Sequence, residues 1–130
     1  MTEVSPSAIF LALLILQTKH FIFDYVLQTP FQYSNKGRYG HPGGLLHAGL
    51  HAAGTSLAFL AIKPTLLGGV LILVGEFVLH YHIDWTKERI VRLSQLTPDK
   101  AAYWQVHGAD QFCHQLTYTG IVAILTALAG

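Results

Sequence analysis

The chain holds one cysteine, Cys113, so no internal disulfide can form and metal centres built on paired thiolates are excluded. Charge is scarce: only 12% of the 130 residues are Asp, Glu, Lys or Arg, where soluble domains carry about 25%. The formal net charge is +1 and no basic stripe is present, which removes the electrostatic basis for nucleic-acid binding. No Ser-His-Asp or Cys-His arrangement stands out as a nucleophile, and there is no E-x-x-H and no internal repeat. What fills the chain instead is hydrocarbon, 52% of residues with a mean hydropathy of +0.41. That composition places the protein largely in lipid, and its length suits a single domain. The opening MTEVSPSAIF has Glu3 and no basic run, so the apolar stretch behind it reads as a retained span rather than a cleaved signal peptide.

Four apolar segments follow, at about 7–28, 45–62, 66–85 and 110–129, and crossing hydrocarbon takes about 20 residues. The expected fold is therefore an all-α integral membrane protein, an up-and-down bundle of four transmembrane helices. Ser5 or Ser7 caps the first helix and Pro30 ends it. A loop rich in Gly, Pro and aromatic residues covers 29–44, and Lys63-Pro64-Thr65 makes a tight turn between the second and third spans. The third helix is expected to continue past the membrane to about Leu96. Thr97-Pro98-Asp99 then starts a short interfacial helix, with Tyr103 and Trp104 at the headgroup boundary and a break at Gly108. Loop one carries Lys36 and Arg38, and loop three carries Lys87, Arg89, Arg92 and Lys100, whereas the opposite side has only Glu3 and Lys63. The Lys/Arg excess puts loops one and three in the cytoplasm and both termini outside, in what reads as a bacterial inner membrane.

Each span carries one pair of metal-capable side chains four residues apart: His20 with Asp24, His47 with His51, His80 with Asp84, and Asp110 with His114. Residues i and i+4 lie one above the other on a helix, about 6 Å apart along the axis. In an up-and-down arrangement all four pairs fall at one depth near the cytoplasmic end. His20, His51, His80 and His114 form a deeper layer; Asp24, His47, Asp84 and Asp110 form a shallower one. This set suits one or two divalent cations, with Zn, Fe or Mn favoured by the mixed N/O donors. An ionised Asp costs roughly 2.5–3.5 kcal/mol at the centre of a membrane helix, a penalty that a divalent cation removes.

Each pair also has a plainer reading when taken alone. His20 with Asp24 can be a neutral hydrogen-bonded pair, and His80 with Asp84 can mark the third helix reaching the interface. Asp110 can serve the helix dipole. His47 and His51, an H-x-x-x-H, have known zinc-ligand spacing. The agreement of all four in depth and direction favours a shared metal centre. Around it, Glu76 lies one turn deeper than His80 and either orients a ligand imidazole or ligates directly. Lys87, three residues past Asp84, either neutralises it or meets substrate. Both are candidate catalytic residues. Gln28 faces the site mouth, and Asn35, Lys36 and Arg38, just before a helix start, are candidates for holding an anionic substrate, against the plainer reading of a solvated loop. His82 points away as a structural or interfacial residue, His41 and His107 receive no role, and Cys113 reads as packing. Gly68, Gly69 and Gly75 allow close approach of another helix, from this chain or from a second copy.

The motifs H-x3-D-Y-x-L-Q (His20, Asp24, Tyr25, Leu27, Gln28), Lys36, H-x3-H (His47, His51), H-x3-D-x2-K (His80, Asp84, Lys87) and D-Q-x2-H (Asp110, Gln111, His114) resemble a family of small bacterial membrane proteins of unknown function. That resemblance spans essentially the whole chain. More remotely, the chain is similar to bacterial inner-membrane proteins described as membrane-bound metal-dependent hydrolases, and this similarity implies a hydrolase. The leading expectation is a metal-activated water acting on a phosphate ester of a lipid or amphiphile near the cytoplasmic face. A non-haem di-iron oxidase or desaturase is the alternative, weakened by the missing E-x-x-H and by the single H-x-x-x-H. A metal or proton transporter would place its ligands nearer the midplane, and a structural metal module remains a fourth reading.

Overall fold

The structure, a computed structural model, describes residues 3–129 and is all-α, with no strand among the described residues. Helix α1 (Pro6–Phe21) starts at Ser5, whose hydroxyl accepts from the Ala8 amide, with Pro6 fitting the first turn. It runs on through a π-helical turn, Ile22–Val26, that contains Asp24. A capping box between Thr29 and Gln32 opens the short α2 (Pro30–Tyr33). His41 caps α3 (Pro42–Thr55) by accepting from the Gly43 amide, which gives that histidine a structural role. A 3₁₀ turn, Ser56–Leu60, leads toward α4 (Leu66–Leu93), and α5 (Ala101–Leu128) completes the chain.

Two helical stretches, Pro6–Val26 and Leu66–Leu93, are long and apolar enough to cross a membrane. The other two expected spans are less regular than their hydropathy suggests. The 45–62 segment divides into the 14-residue α3 and a 3₁₀ turn. The 110–129 segment is only the second part of a 28-residue helix, diluted by Gln111, His114, Gln115 and Thr117. The short interfacial helix ending at Gly108 is not formed. Helix α5 passes through Gly108 without interruption, because a single glycine costs about 1 kcal/mol and the flanking residues make up for it. Helix α4 ends at Leu93, three residues before the expected Leu96.

Helix α1 packs on α3 and α5, α3 packs on α4, and α4 on α5, while α2 lies on α3. At the end nearer the termini the interior is apolar, with Leu16, Tyr118 and Leu125 fully enclosed together with Ala12 and Ala58. At the other end it is polar: Lys19, His20, His47, His51, Glu76, His80, Asp84, Asp110 and His114 are all buried. The outside carries the hydrocarbon, as Phe10 (70% exposed), Leu66 (88%) and Leu71 (62%) illustrate. Gly68 and Gly69 are covered from within the chain, since a Cβ on them would meet Leu128 and Phe59 respectively, while one on Gly75 meets nothing within 4 Å.

Candidate metal centre

All four ligand-bearing pairs come from helices that touch, and their side chains meet. Two groups have ligand atoms lying within 4.8 Å of one another: Asp24, His47, His51 and His80, and then His80, Asp84 and His114. His80 is common to both, so they form one cluster. The imidazoles are packed ring to ring, with centroids 3.9 Å apart for His51 and His80, 4.2 Å for His80 and His114, and 4.6 Å for His47 and His51.

Two carboxylates organise the rings. Asp24 Oδ1 is 2.9 Å from His47 Nε2 and 3.1 Å from His51 Nε2. Asp84 Oδ2 is 3.3 Å from His47 Nε2 and 3.5 Å from His80 Nε2, and its Oδ1 is 3.2 Å from His114 Nε2. Donor atoms about 2.0–2.2 Å from a shared ion stand roughly 3.0–3.5 Å from each other, so these separations suit the edges of a coordination shell. Several of the contacts are poor hydrogen bonds. Neither nitrogen of His80 has a hydrogen-bond partner, nor does His47 Nε2 despite its short approach to Asp24. A buried polar group left unsatisfied costs about 1–3 kcal/mol, and a cation at the meeting point relieves several such groups together. His47, His51, His80, His114, Asp24 and Asp84 therefore fit a divalent metal ion.

Charge counting leads to the same place. With the imidazoles neutral and Lys87 cancelled by its partner Glu88, Asp24, Asp84 and Asp110 face one further cation, Lys36. Its Nζ lies 3.0 Å from Asp84 Oδ2 and 3.7 Å from Asp24 Oδ1, with the side chain 10% exposed. Two negative charges remain, the amount that one divalent ion cancels. Loop one thus delivers Lys36 into the cluster itself, a closer engagement than a solvated anion-binding loop. A Cβ on Gly43 would sit 2.1 Å from the Phe31 carbonyl oxygen, so only glycine lets α2 press onto the start of α3 and carry Lys36 inward.

Two of the eight sequence-derived ligands stand at the edge of the cluster, outside both groups. His20 Nε2 is 3.0 Å from Gln111 Oε1, a carbonyl that can only accept, so this nitrogen donates. The other nitrogen, Nδ1, then accepts from the Tyr118 hydroxyl at 2.8 Å. With both nitrogens engaged, and Nε2 3.3 Å from Asp24 Oδ2, His20 holds Asp24 in place. Asp110 accepts from Gln111 Nε2 at 3.0 Å and lies 3.6 Å from His114, while its Oδ1 is buried without a hydrogen-bond partner.

Above the cluster lies a polar cavity of about 120 Å³, lined by Asp24, Asp84 and Asp110 together with Lys36, Lys87, Gln28 and others. Gln28 lines the cavity and donates to the Asp24 carbonyl oxygen. Lys87 reaches the cavity but pairs with Glu88 at 2.6 Å rather than with Asp84. Asn35 and Arg38 bond to Phe31 and to each other outside the cavity. Glu76 is paired with Lys19, one turn deeper in the molecule. His82 bonds to Tyr39 and the Val78 carbonyl oxygen, away from the site, and Cys113 is exposed rather than packed.

Sequence reasoning missed Lys19, Tyr118 and His107. Lys19 donates to Glu76 and to the His51 carbonyl oxygen at 2.8 Å, and sits 4.7 Å from the Tyr118 ring centre. The signal was available, because an ammonium midway along an apolar helix must find a partner and Glu76 is the acidic residue at matching depth. Tyr118 lies four residues beyond His114, on the ligand face of α5. His107 lines the cavity beside Tyr25, 3.4 Å from its hydroxyl. No family model, curated protein or solved structure matches this chain.

Proposed function

We propose that the protein is a membrane-embedded, metal-dependent hydrolase of a phosphate ester carried by a lipid or another amphiphile. In this reading the chain crosses a bacterial inner membrane four times as an up-and-down bundle, with loops one and three in the cytoplasm. The exposed leucines and phenylalanines on the outside, and the grouping of Lys36 and Arg38 in loop one with Lys87, Arg89 and Arg92 in the last two turns of α4, rather than in the loop where the sequence suggested them, support that topology. The resemblance to small bacterial membrane proteins and to membrane-bound metal-dependent hydrolases belongs to the same reading.

The observation that carries it is that the cluster's carboxylates, Asp24 and Asp84, line a polar cavity together with Lys36 and Lys87. A divalent cation bound in the cluster supplies positive charge for a developing oxyanion and makes water more acidic. Lys36, set between two carboxylates, is freed to meet an anionic head group once their charge is neutralised. Lys87 closes the head group in from the other side. Asp110 Oδ1, buried without a hydrogen-bond partner, is placed to take the proton as water oxygen attacks phosphorus and to return it to the ester oxygen as the P–O bond breaks. Glu76 holds Lys19 and stays out of the chemistry.

The test is phosphate release from a panel of alkyl phosphates by purified protein supplied with Zn, Mn or Fe(II). Turnover is expected, abolished in Asp110→Asn and shifted to higher KM in Lys36→Met. Protein that binds metal stoichiometrically and cleaves neither phosphate nor carboxyl esters rejects the proposal.

A further inference from the structure

Helices α4 and α5 leave an open crevice along their outer side. One part, of about 600 Å³, runs from Gly68 and Leu128 to Leu79 and Leu116, floored by Gly75 and Gly120. Its lining is apolar apart from Glu76 and Thr117. A second part, about 340 Å³, continues from Leu79 past Ile83 and Cys113 to Lys87 and Asp110. Those last two residues also line the polar cavity above the metal cluster. Lys87 and Asp110 are therefore common to the lining of the hydrocarbon track and that of the head-group chamber.

We infer that this crevice binds the alkyl chain of the substrate, with the anionic head turned past Lys87 and Asp110 into the chamber. The inference rests on the hydrolase reading and narrows it: the substrate is a long-chain phosphate ester entering sideways from the bilayer. Three features support that occupant over a second protein copy. The track ends at two residues, Lys87 and Asp110, that also line the chamber. With its second part included, the crevice follows α4 from Gly68 to Lys87, a rise of roughly 28 Å, long enough to take an extended long alkyl chain within the ~30 Å hydrocarbon core. Its floor is glycine where no neighbouring atom requires it, since a Cβ on Gly75 or Gly120 would meet nothing within 4 Å. These glycines keep a channel clear.

The experiment compares hexadecyl phosphate, carrying a diazirine at mid-chain, with butyl phosphate on protein in nanodiscs. Photolabel is expected on α4 and α5 peptides around Leu79 and Leu116, displaced by unlabelled hexadecyl phosphate. Gly75→Leu and Gly120→Leu put side chains into the track from positions where an added Cβ meets no neighbouring atom within 4 Å. They are expected to weaken hexadecyl phosphate binding at least tenfold while leaving butyl phosphate unchanged. Label spread evenly over the outer faces of α1 and α4, equal loss for both esters, or label that links two copies of the chain overturns the inference. Cleavage of butyl phosphate reports on the hydrolase reading alone, and the position of the photolabel reports on the track without turnover, so the two failures are distinct.

Discussion

Lys19 and Lys36 are two buried ammonium groups with different partners, and they make different demands on the protein. Lys19 and Glu76 form a self-contained pair with side chains 3% and 0% exposed. Removing one partner strands the other, a loss of about 3–5 kcal/mol, whereas replacing both with apolar residues is close to neutral. Lys19→Met is expected to lower unfolding stability in detergent by that amount, and Lys19→Met/Glu76→Leu to restore most of it. Lys36 instead occupies the place of a cation, between Asp84 and Asp24. Near a protein surface two unit charges 4 Å apart exchange about 4 kcal/mol. Lys36→Met is thus expected to tighten divalent-metal binding by roughly tenfold or more, using a fraction of that energy, while weakening binding of an anionic ester. Calorimetric titration with Zn and with an alkyl phosphate separates the two effects. A Lys36→Met protein that binds metal more weakly would show that the lysine supports the site rather than competing for it.

Helix α5 is where periodicity and propensity gave different answers. Gly108 after an aromatic-rich segment reads as a stop, yet the chain continues as α-helix from Ala101 to Leu128. In an uninterrupted helix, with nothing within 4 Å of an added Cβ, Gly108→Ala is expected to raise stability by about 0.5–1 kcal/mol. A helix ending there would lose stability from the same change, so a urea or thermal midpoint decides. Gly43 has the opposite environment, and Gly43→Ala is expected to cost about 1–3 kcal/mol as the α2–α3 corner is forced open. Loss of metal affinity should accompany it, because that corner carries Lys36. The ligand pairs were legible from sequence because i, i+4 spacing survives any helix packing. His20 and Asp110 were harder to assign, since their exclusion from both ligand groups depends on Gln111 and Tyr118, partners that only the packed structure supplies. The π-helical turn at Asp24 was equally hidden. Such turns occur frequently at functional sites, and nothing in IFDYV announces one.

The molecule carries hydrocarbon on its outside, and its interior is apolar in one half and polar in the other. In the four-pass arrangement proposed for it, Arg38 and Lys63 lie on opposite sides of the membrane. Single cysteines at these positions in a Cys113→Ser background are expected to label from the cytoplasm and the outside respectively; labelling from one side ends that topology. The apolar half holds its helices together by packing around Leu16, Tyr118 and Leu125. The other half has too many buried carboxylates to do so unaided, and chelation should therefore lower the melting temperature measurably. The most direct test of the central claim is the divalent-metal content of detergent-purified protein, measured by mass spectrometry beside His47→Ala and His20→Ala. The expected result is one or two Zn, Mn or Fe ions per chain, lost in His47→Ala and retained, more weakly bound, in His20→Ala. Folded protein that holds no divalent metal when all three are supplied would contradict the assignment of this cluster as a metal centre.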